Sequence, residues 1–493
     1  MAVDYDLVVI GCSEAGVEAA IAAARLKARV ALVEQGQTAI LALNHWVLLE
    51  MANTLSQTQR AVTLGLCESA VRSRNQWSQL QRWSEVVTTA TQAMYSPISL
   101  ASLGIDVLTG GGEFVRKPTL SFVVNGRPLR SRAYLLATVE TPAIEHSIAP
   151  FVAVNPPAGT LANIAGLNAV GYWNVRTTLV PRDVIDPCHR LAIIGADAIE
   201  VELAQALVRL GNVVTLITPA PRILLHEDSD AAGLIQAQLE AEGVEILTDT
   251  TVTQVRQIDQ KKWVQAGTRA IEVDEILLAT PPRFDPTVLN LDAAQVNYSP
   301  SGILVDRALR TSNRRIFACR SPLMHGYAPP LAVLDARLVV QNALFWSSAA
   351  AQRQVPVVTQ TQPELARVGL QESEAHRLYG KDVVVVRQPF QVLLRSHIQG
   401  DTPGFCKFIL RRNGHILGAH IVGAQAGEMI GTIALAMQQN IKIQAIADLA
   451  LPTTAFAQIL PHTAAEWQNL RLQRNTRLQT LLEKFFNWRR SMV

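Results

Sequence analysis

Along the first two thirds of the chain, short apolar runs alternate with longer segments of helical period. Leu7 to Ile10 is a continuous apolar run, as a strand covered on both faces requires. Ala15 to Ala24 is a run of small residues at helical spacing, and Arg29 to Val33 is a second strand ending on Glu34. The same order returns at Leu191 in LAIIGADAIEVELAQALVRLGNVVTLIT, about 180 residues on. Strand, helix and strand in this rhythm predict parallel α/β units. Between and after them the pattern predicts helices over about 40 to 95, strands at Ile105 to Leu108, Leu120 to Val124 and Ala133 to Ala137, a helix at Ala231 to Glu242, strands at 275 to 280 and up to Cys319, and a helix at about 330 to 346. A Pro- and Gln-containing linker is expected at about 352 to 363. The last third changes character: VVVVRQPF and FCKFILRRNGHILGAHIVG read as antiparallel strands turning at Asn413-Gly414, followed by a helix from Gly427 to Gln438.

The turns carry the chemistry. After the first strand, Gly11, Ser13 and Gly16 stand at the three glycine positions of a dinucleotide fingerprint, with serine at the middle one. Glu34 lies 23 residues past Gly11, where an acid can hydrogen-bond a ribose hydroxyl. In the second unit the same positions hold Gly195, Asp197 and Glu200, and the second strand ends at Thr218-Pro219 without an acid. A carboxylate about 5 Å from a phosphate charge is repelled by roughly 3 kcal/mol at an effective dielectric near 20. The first unit is therefore read as a nucleotide site and the second as an impaired one, with Arg222 the one cation near its ribose end.

With 493 residues the chain has room for about three domains. A net charge of +3 gives no argument for nucleic acid. The five cysteines, Cys12, Cys67, Cys188, Cys319 and Cys406, are far apart, which excludes CxxC chemistry and a zinc framework. Acids interrupt the opening segment and first helix, so neither a signal peptide nor a membrane span is read there. The expected setting is soluble and cytoplasmic.

Two fingerprints followed by an α+β domain, together with DYDLVVIG, GIDVLTG, YLLAT, ILGAHIVGAQAGEMIGTIALAM and IADLALPTTAF, make the chain resemble the class I pyridine nucleotide-disulfide oxidoreductases over about 460 residues. Dihydrolipoamide dehydrogenase, glutathione reductase and mercuric reductase are of that family. The resemblance implies an α/β fold with an FAD-type Rossmann domain at 1-150 and 285-350, an NAD(P)-type Rossmann domain at 151-284, and a dimerisation domain at 355-465. It implies FAD as cofactor, held by Gly11, Ser13, Gly16, Glu34 and Ser321, and a homodimer.

The family's redox positions are filled differently here. Its C-x4-C dithiol aligns with Gln37 and Ala42, and His45-Trp46 stand where Ser-Lys would follow. The interface histidine and its orienting glutamate align with Thr453 and Gln458; threonine does not take a proton near neutral pH. His462 lies four residues further on. Arg320-Ser321 replace Gly-Asp near the ribityl chain, and two Ala-Thr-Gly turns read Ala137-Thr138-Val139 and Ala279-Thr280-Pro281. Glu202 matches a family glutamate near the nicotinamide. The expectation is a flavoprotein scaffold that binds FAD at most, does not bind NAD(P), and reduces no disulfide. A flavin oxidoreductase without a dithiol is the second reading.

The end of the chain, 466-493, is basic. Trp467, Leu470, Arg474, Leu478, Leu481, Leu482 and Phe485 follow helical spacing, with Phe486 and Trp488 beside them. One amphipathic helix is expected there, packing on the dimer or docking to a partner protein or an anionic membrane surface.

Overall fold

The computed structural model describes residues 3–35, 40–66, 76–137, 164–174, 189–278, 287–299, 302–319, 329–346 and 354–492. The chain divides into two compact units. One comprises Met1–Arg222 and Leu239–Gln352, the other Ile223–Gln238 and Arg353–Val493.

The first unit holds two five-stranded parallel sheets. In the first, β1 (Tyr5–Ile10) is central, with β2 (Val30–Glu34) and β3 (Ile105–Thr109) on one side and strands Ser131–Leu136 and Ile316–Ala318 on the other. Chain order thus reverses at β1, and the reversal opens a crevice beyond its C-terminal end. Leu7, Val8, Val9 and Ile10 are completely buried, which is why the strand reads as an unbroken apolar run. Helix α1 (Glu14–Arg25) lays Ala19, Ala20 and Ala23 against one face, where Ala336, Val339 and Val340 of the late helix Pro329–Leu344 meet them. Small residues on α1 let that second helix approach. The second sheet orders Glu245–Leu247, Val213–Ile217, Arg190–Ile194, Glu275–Leu278 and Trp173–Asn174. The expected helical region after β2 is α2 (Ile40–Thr63), α3 (Gln76–Met94) and a short α4 (Pro97–Ser102).

The second unit is built on a five-stranded antiparallel sheet ordered Val357–Thr359, Glu364–Gly369, Ile416–Gly423, Phe405–Arg411 and Val383–Pro389. The stretch read as a linker therefore contains an edge strand, because the β-branched run Val357-Val358-Thr359 pairs with Leu365 to Arg367. Residues 223–238, placed by sequence inside the second nucleotide domain, pack in this unit. Ion pairs tie them to its sheet. Lys407, buried in the sheet, reaches Asp228 at 3.0 Å, Asp230 at 3.2 Å and Glu372 at 2.5 Å, and Arg367 reaches Glu227 at 2.8 Å. A buried ammonium requires such partners.

The tail is not one helix. Ile459–Arg474 ends at Asn475, whose side chain accepts from the Leu478 amide at 3.1 Å and caps a separate helix, Thr476–Arg490. An asparagine competes for backbone bonds in a helix interior and favours a cap, which is the feature the periodicity concealed. Trp467 belongs to the core of the unit, whereas Thr476–Arg490 buries none of its residues. No helix among the described residues is long and apolar enough to cross a membrane.

Candidate nucleotide and redox site

At the end of β1 the chain turns at Gly11 with φ 106°, a conformation that L side chains rarely adopt, and the Gly11 amide donates to Val33 at 2.9 Å. A Cβ on Gly16 would stand 2.1 Å from the Gly11 carbonyl oxygen, so helix and turn touch there. Ser13, at the middle position, has an ordinary extended backbone and no strain. Its Oγ accepts from the Gly16 amide at 3.2 Å and caps α1. The serine thus replaces conformational freedom that this turn does not use, at the cost of a side chain beside the helix N-terminus. Glu34 closes β2 half-buried, and Thr109 Oγ1 lies 3.5 Å from its Oε2, too long to hold the carboxylate firmly.

Cys12 sits between these groups, buried. Burial first and the Glu34 charge second push its thiol up to about 12. It stays protonated at neutral pH and is no substitute for a redox thiolate. Cys406 is pushed up to about 12 in the same way, by complete burial. No group of three or more His, Cys, Asp or Glu among the described residues is placed to hold a metal ion.

The second turn copies the first in backbone and departs in side chains. Gly195 has φ 125°, and its amide donates to Ile217 at 2.9 Å. Asp197 is exposed at the N-cap of helix Ala198–Arg209 without capping it. Glu200 is buried, and its Oε1 lies 2.8 Å from where a Gly195 Cβ would be. Its side chain therefore folds back onto the turn itself, where a pyrophosphate would rest in a working fingerprint. Thr218, in the ribose-acid position, is buried, and its Oγ1 accepts from Ala220 at 3.2 Å. Arg222 is half-buried three residues beyond Pro219.

The structure brings together two residues that sequence reading marked separately, His45 beside the dithiol positions and Glu202 at the nicotinamide end of the second unit. His45 of α2 lies 2.6 Å from Glu202 of helix Ala198–Arg209, with both side chains largely buried. Two turns further along, Arg209 Nη1 donates to Asn53 Oδ1 at 2.6 Å, while its other nitrogens hold Glu242 at 2.7 Å. Helix α2, which contains Ala42, is clamped at two points to the helix of the second fingerprint. The available signal was that His45 and Glu202 each fall at resemblance-marked positions; their contact is tertiary and invisible to spacing.

The other sequence-derived positions scatter. Ala42 lies in α2, while Gln37, Arg320, Ser321, Thr138, Val139 and Ala279 to Pro281 fall outside the described residues. Thr453 is exposed in the second unit. Gln458 does not orient a base: its Nε2 donates to the Leu451 carbonyl at 2.6 Å and closes its own loop. His462 is exposed.

Comparison with known proteins agrees with this architecture. The family described as "Pyridine nucleotide-disulphide oxidoreductase" matches residues 5–320, and its dimerisation domain matches residues 355–462. Mercuric reductase of Staphylococcus aureus is 28% identical over 467 residues, covering 92% of this chain and 81% of that protein. Dihydrolipoyl dehydrogenase of Bacillus subtilis (strain 168) is 28% identical over 446 residues, covering 87% and 92%. Among solved structures, LpdA from Mycobacterium tuberculosis superposes with a TM-score of 0.79 at 21% identity over 94% of this chain and 99% of that one. The HOCl-induced flavoprotein disulfide reductase RclA from Escherichia coli does so with a TM-score of 0.76, 21% identity, and the same 94% and 99% coverage. The chain belongs to the pyridine nucleotide-disulphide oxidoreductase family, whose members are FAD-binding flavoproteins.

Proposed function

We propose that this chain is an FAD-holding member of the family that carries out no thiol–disulphide exchange. The observation that carries the reading is the loss of both sulfurs, at Gln37 and Ala42, with the nearest turn cysteine, Cys12, held as a buried thiol. The first turn fits the cofactor: Gly11 and Gly16 bring strand and helix into contact, so the α1 amides face the pyrophosphate. Glu34 would take the ribose hydroxyls, and Ser321 one hydrogen bond near the ribityl chain. FAD, when bound, supplies a two-electron carrier. NAD(P) does not fit the second turn, where Asp197 and the folded-back Glu200 meet the phosphates. The match to the dimerisation domain supports a homodimer formed through 355-465. The basic tail has a docking role independent of this redox reading.

The test is the visible spectrum of the purified protein, followed by turnover with lipoamide, glutathione disulfide and mercuric ion. A yellow protein with no turnover is expected. Disulfide turnover abolished by replacing one of the five cysteines would refute the proposal.

One observation favours a second reading, a flavin oxidoreductase that works without a dithiol. The His45–Glu202 pair, one helical turn past Ala42, sets an imidazole within hydrogen-bond reach of a carboxylate in a largely buried place. Flavin reduction by NADH or NADPH, with a pH profile altered by His45→Gln, would establish it over the first.

A further inference from the structure

Among the described residues, helix Thr476–Arg490 is the one long helix of the second unit that buries none of its residues. Fifteen residues without tertiary packing are marginal as a helix in water. Its apolar side chains fall on one arc. At 3.6 residues per turn, Leu478, Leu481, Leu482, Phe485, Phe486 and Trp488 span about 160° of the circumference. Four of the six are at least 46% exposed. No described residue covers that face. The helix carries Arg477, Lys484, Arg489 and Arg490 against Glu483 alone, a formal +3. That equals the net charge of the whole chain, so the rest is formally neutral. Arg477 and Lys484 flank the arc on one side and Arg490 on the other. Arg489 falls within the arc at the last turn, where its long stem lets the guanidinium reach outward.

We propose that this helix lies in the surface of an anionic lipid bilayer, its apolar arc among the acyl boundary and its cations at the headgroups. The geometry suits a helix lying on a membrane, since it pairs a wide aromatic face with flanking cations and is too polar to span. Charge complementarity selects the occupant. Packing the same face on a second copy would set one +3 helix against another, whereas a negative leaflet attracts each cation. The Asn475 break frees the helix from the preceding one, whose Trp467 is fixed in the core.

The test uses the full-length protein and co-sedimentation with phosphatidylcholine vesicles with and without phosphatidylglycerol. Binding is expected only with the anionic lipid. It should be lost between ionic strengths of about 0.1 M and about 1 M, as the Debye length falls from roughly 10 to 3 Å. Arg489→Ala with Arg490→Ala should lower the partition coefficient about 25-fold, at about five-fold per cation. Phe485→Ser with Trp488→Ser should lower it at least about ten-fold. Both pairs are exposed, and an unchanged oligomeric state in velocity sedimentation controls for folding. Equal binding to neutral vesicles, or no binding to anionic ones, overturns the proposal. Loss of dimers in the Phe485/Trp488 variant would overturn it as well, by assigning the face to a second copy.

Discussion

Replacing Glu200 by alanine should convert the second turn toward a working phosphate cradle. Alanine is tolerated at the third fingerprint position and keeps helix propensity in the first turn of Ala198–Arg209. The carboxylate removed is buried and lies against Gly195, with Oε1 2.8 Å from the built Cβ position. Taken as ionised, at about 5 Å from a pyrophosphate charge it costs roughly 3 kcal/mol at an effective dielectric near 20, about two orders of magnitude in Kd. Asp197 faces the same phosphates but is exposed, so its contribution is smaller and screened. Salt separates the two. Asp197→Gly should gain affinity at low ionic strength and lose most of that gain at about 1 M, whereas the Glu200→Ala gain should persist. Calorimetric titration of wild type, both single variants and the double variant with NADH and NADPH reads this directly. Micromolar binding to wild type, or a Glu200→Ala gain that vanishes with salt, would refute the reasoning.

Glu34→Ala should weaken FAD retention by about 1–3 kcal/mol, the range for a lost buried hydrogen-bond partner, measured by cofactor loss on dilution. Lys407→Met should destabilise the second unit by about 3–5 kcal/mol, since Asp228 is left buried without its cation, and should lower the urea midpoint. Acid should weaken the same unit in two stages. Burial pushes His420 below its ordinary 6.5, against the pull of Asp228. The unfolded chain therefore binds the proton first, and stability falls as pH drops below about 6.5. Burial works to raise Asp228, but the Lys407 hydrogen bond and neighbouring charges bring it below 3.8, so its contribution, present above that value, is lost as pH falls further. An acid midpoint unchanged in His420→Leu would contradict the first stage.

The parallel sheets were legible because each buried strand is a continuous apolar run and each turn has its glycine. The strand Glu364–Gly369 and helix Glu372–Tyr379 were overlooked; the helix start is marked by Glu374, whose carboxylate accepts from the Gln371 amide at 3.1 Å. Residues 223–238 pack with the second unit in a way no local pattern shows, because Lys407, the cation that holds Asp228 and Asp230, lies far along the chain. At the site, the composition of both turns could be read, yet not that Glu200 folds back rather than wedging helix from strand. His45 and Glu202 meet only through the packing of two helices, which no local pattern encodes.

That packing has a mechanical consequence. His45–Glu202 and Asn53–Arg209 are spaced by eight residues on one helix and seven on the other, which at 1.5 Å per residue sets the two attachments roughly 11 Å apart on helices running the same way. A rod pinned at one point can pivot; pinned at two it can only travel with its neighbour. Any displacement of the Gly195 turn that moves helix Ala198–Arg209 must therefore carry α2 bodily, Ala42 included. The second turn need not hold a nucleotide to act at a distance: whatever shifts it shifts the far end of α2 by the same amount.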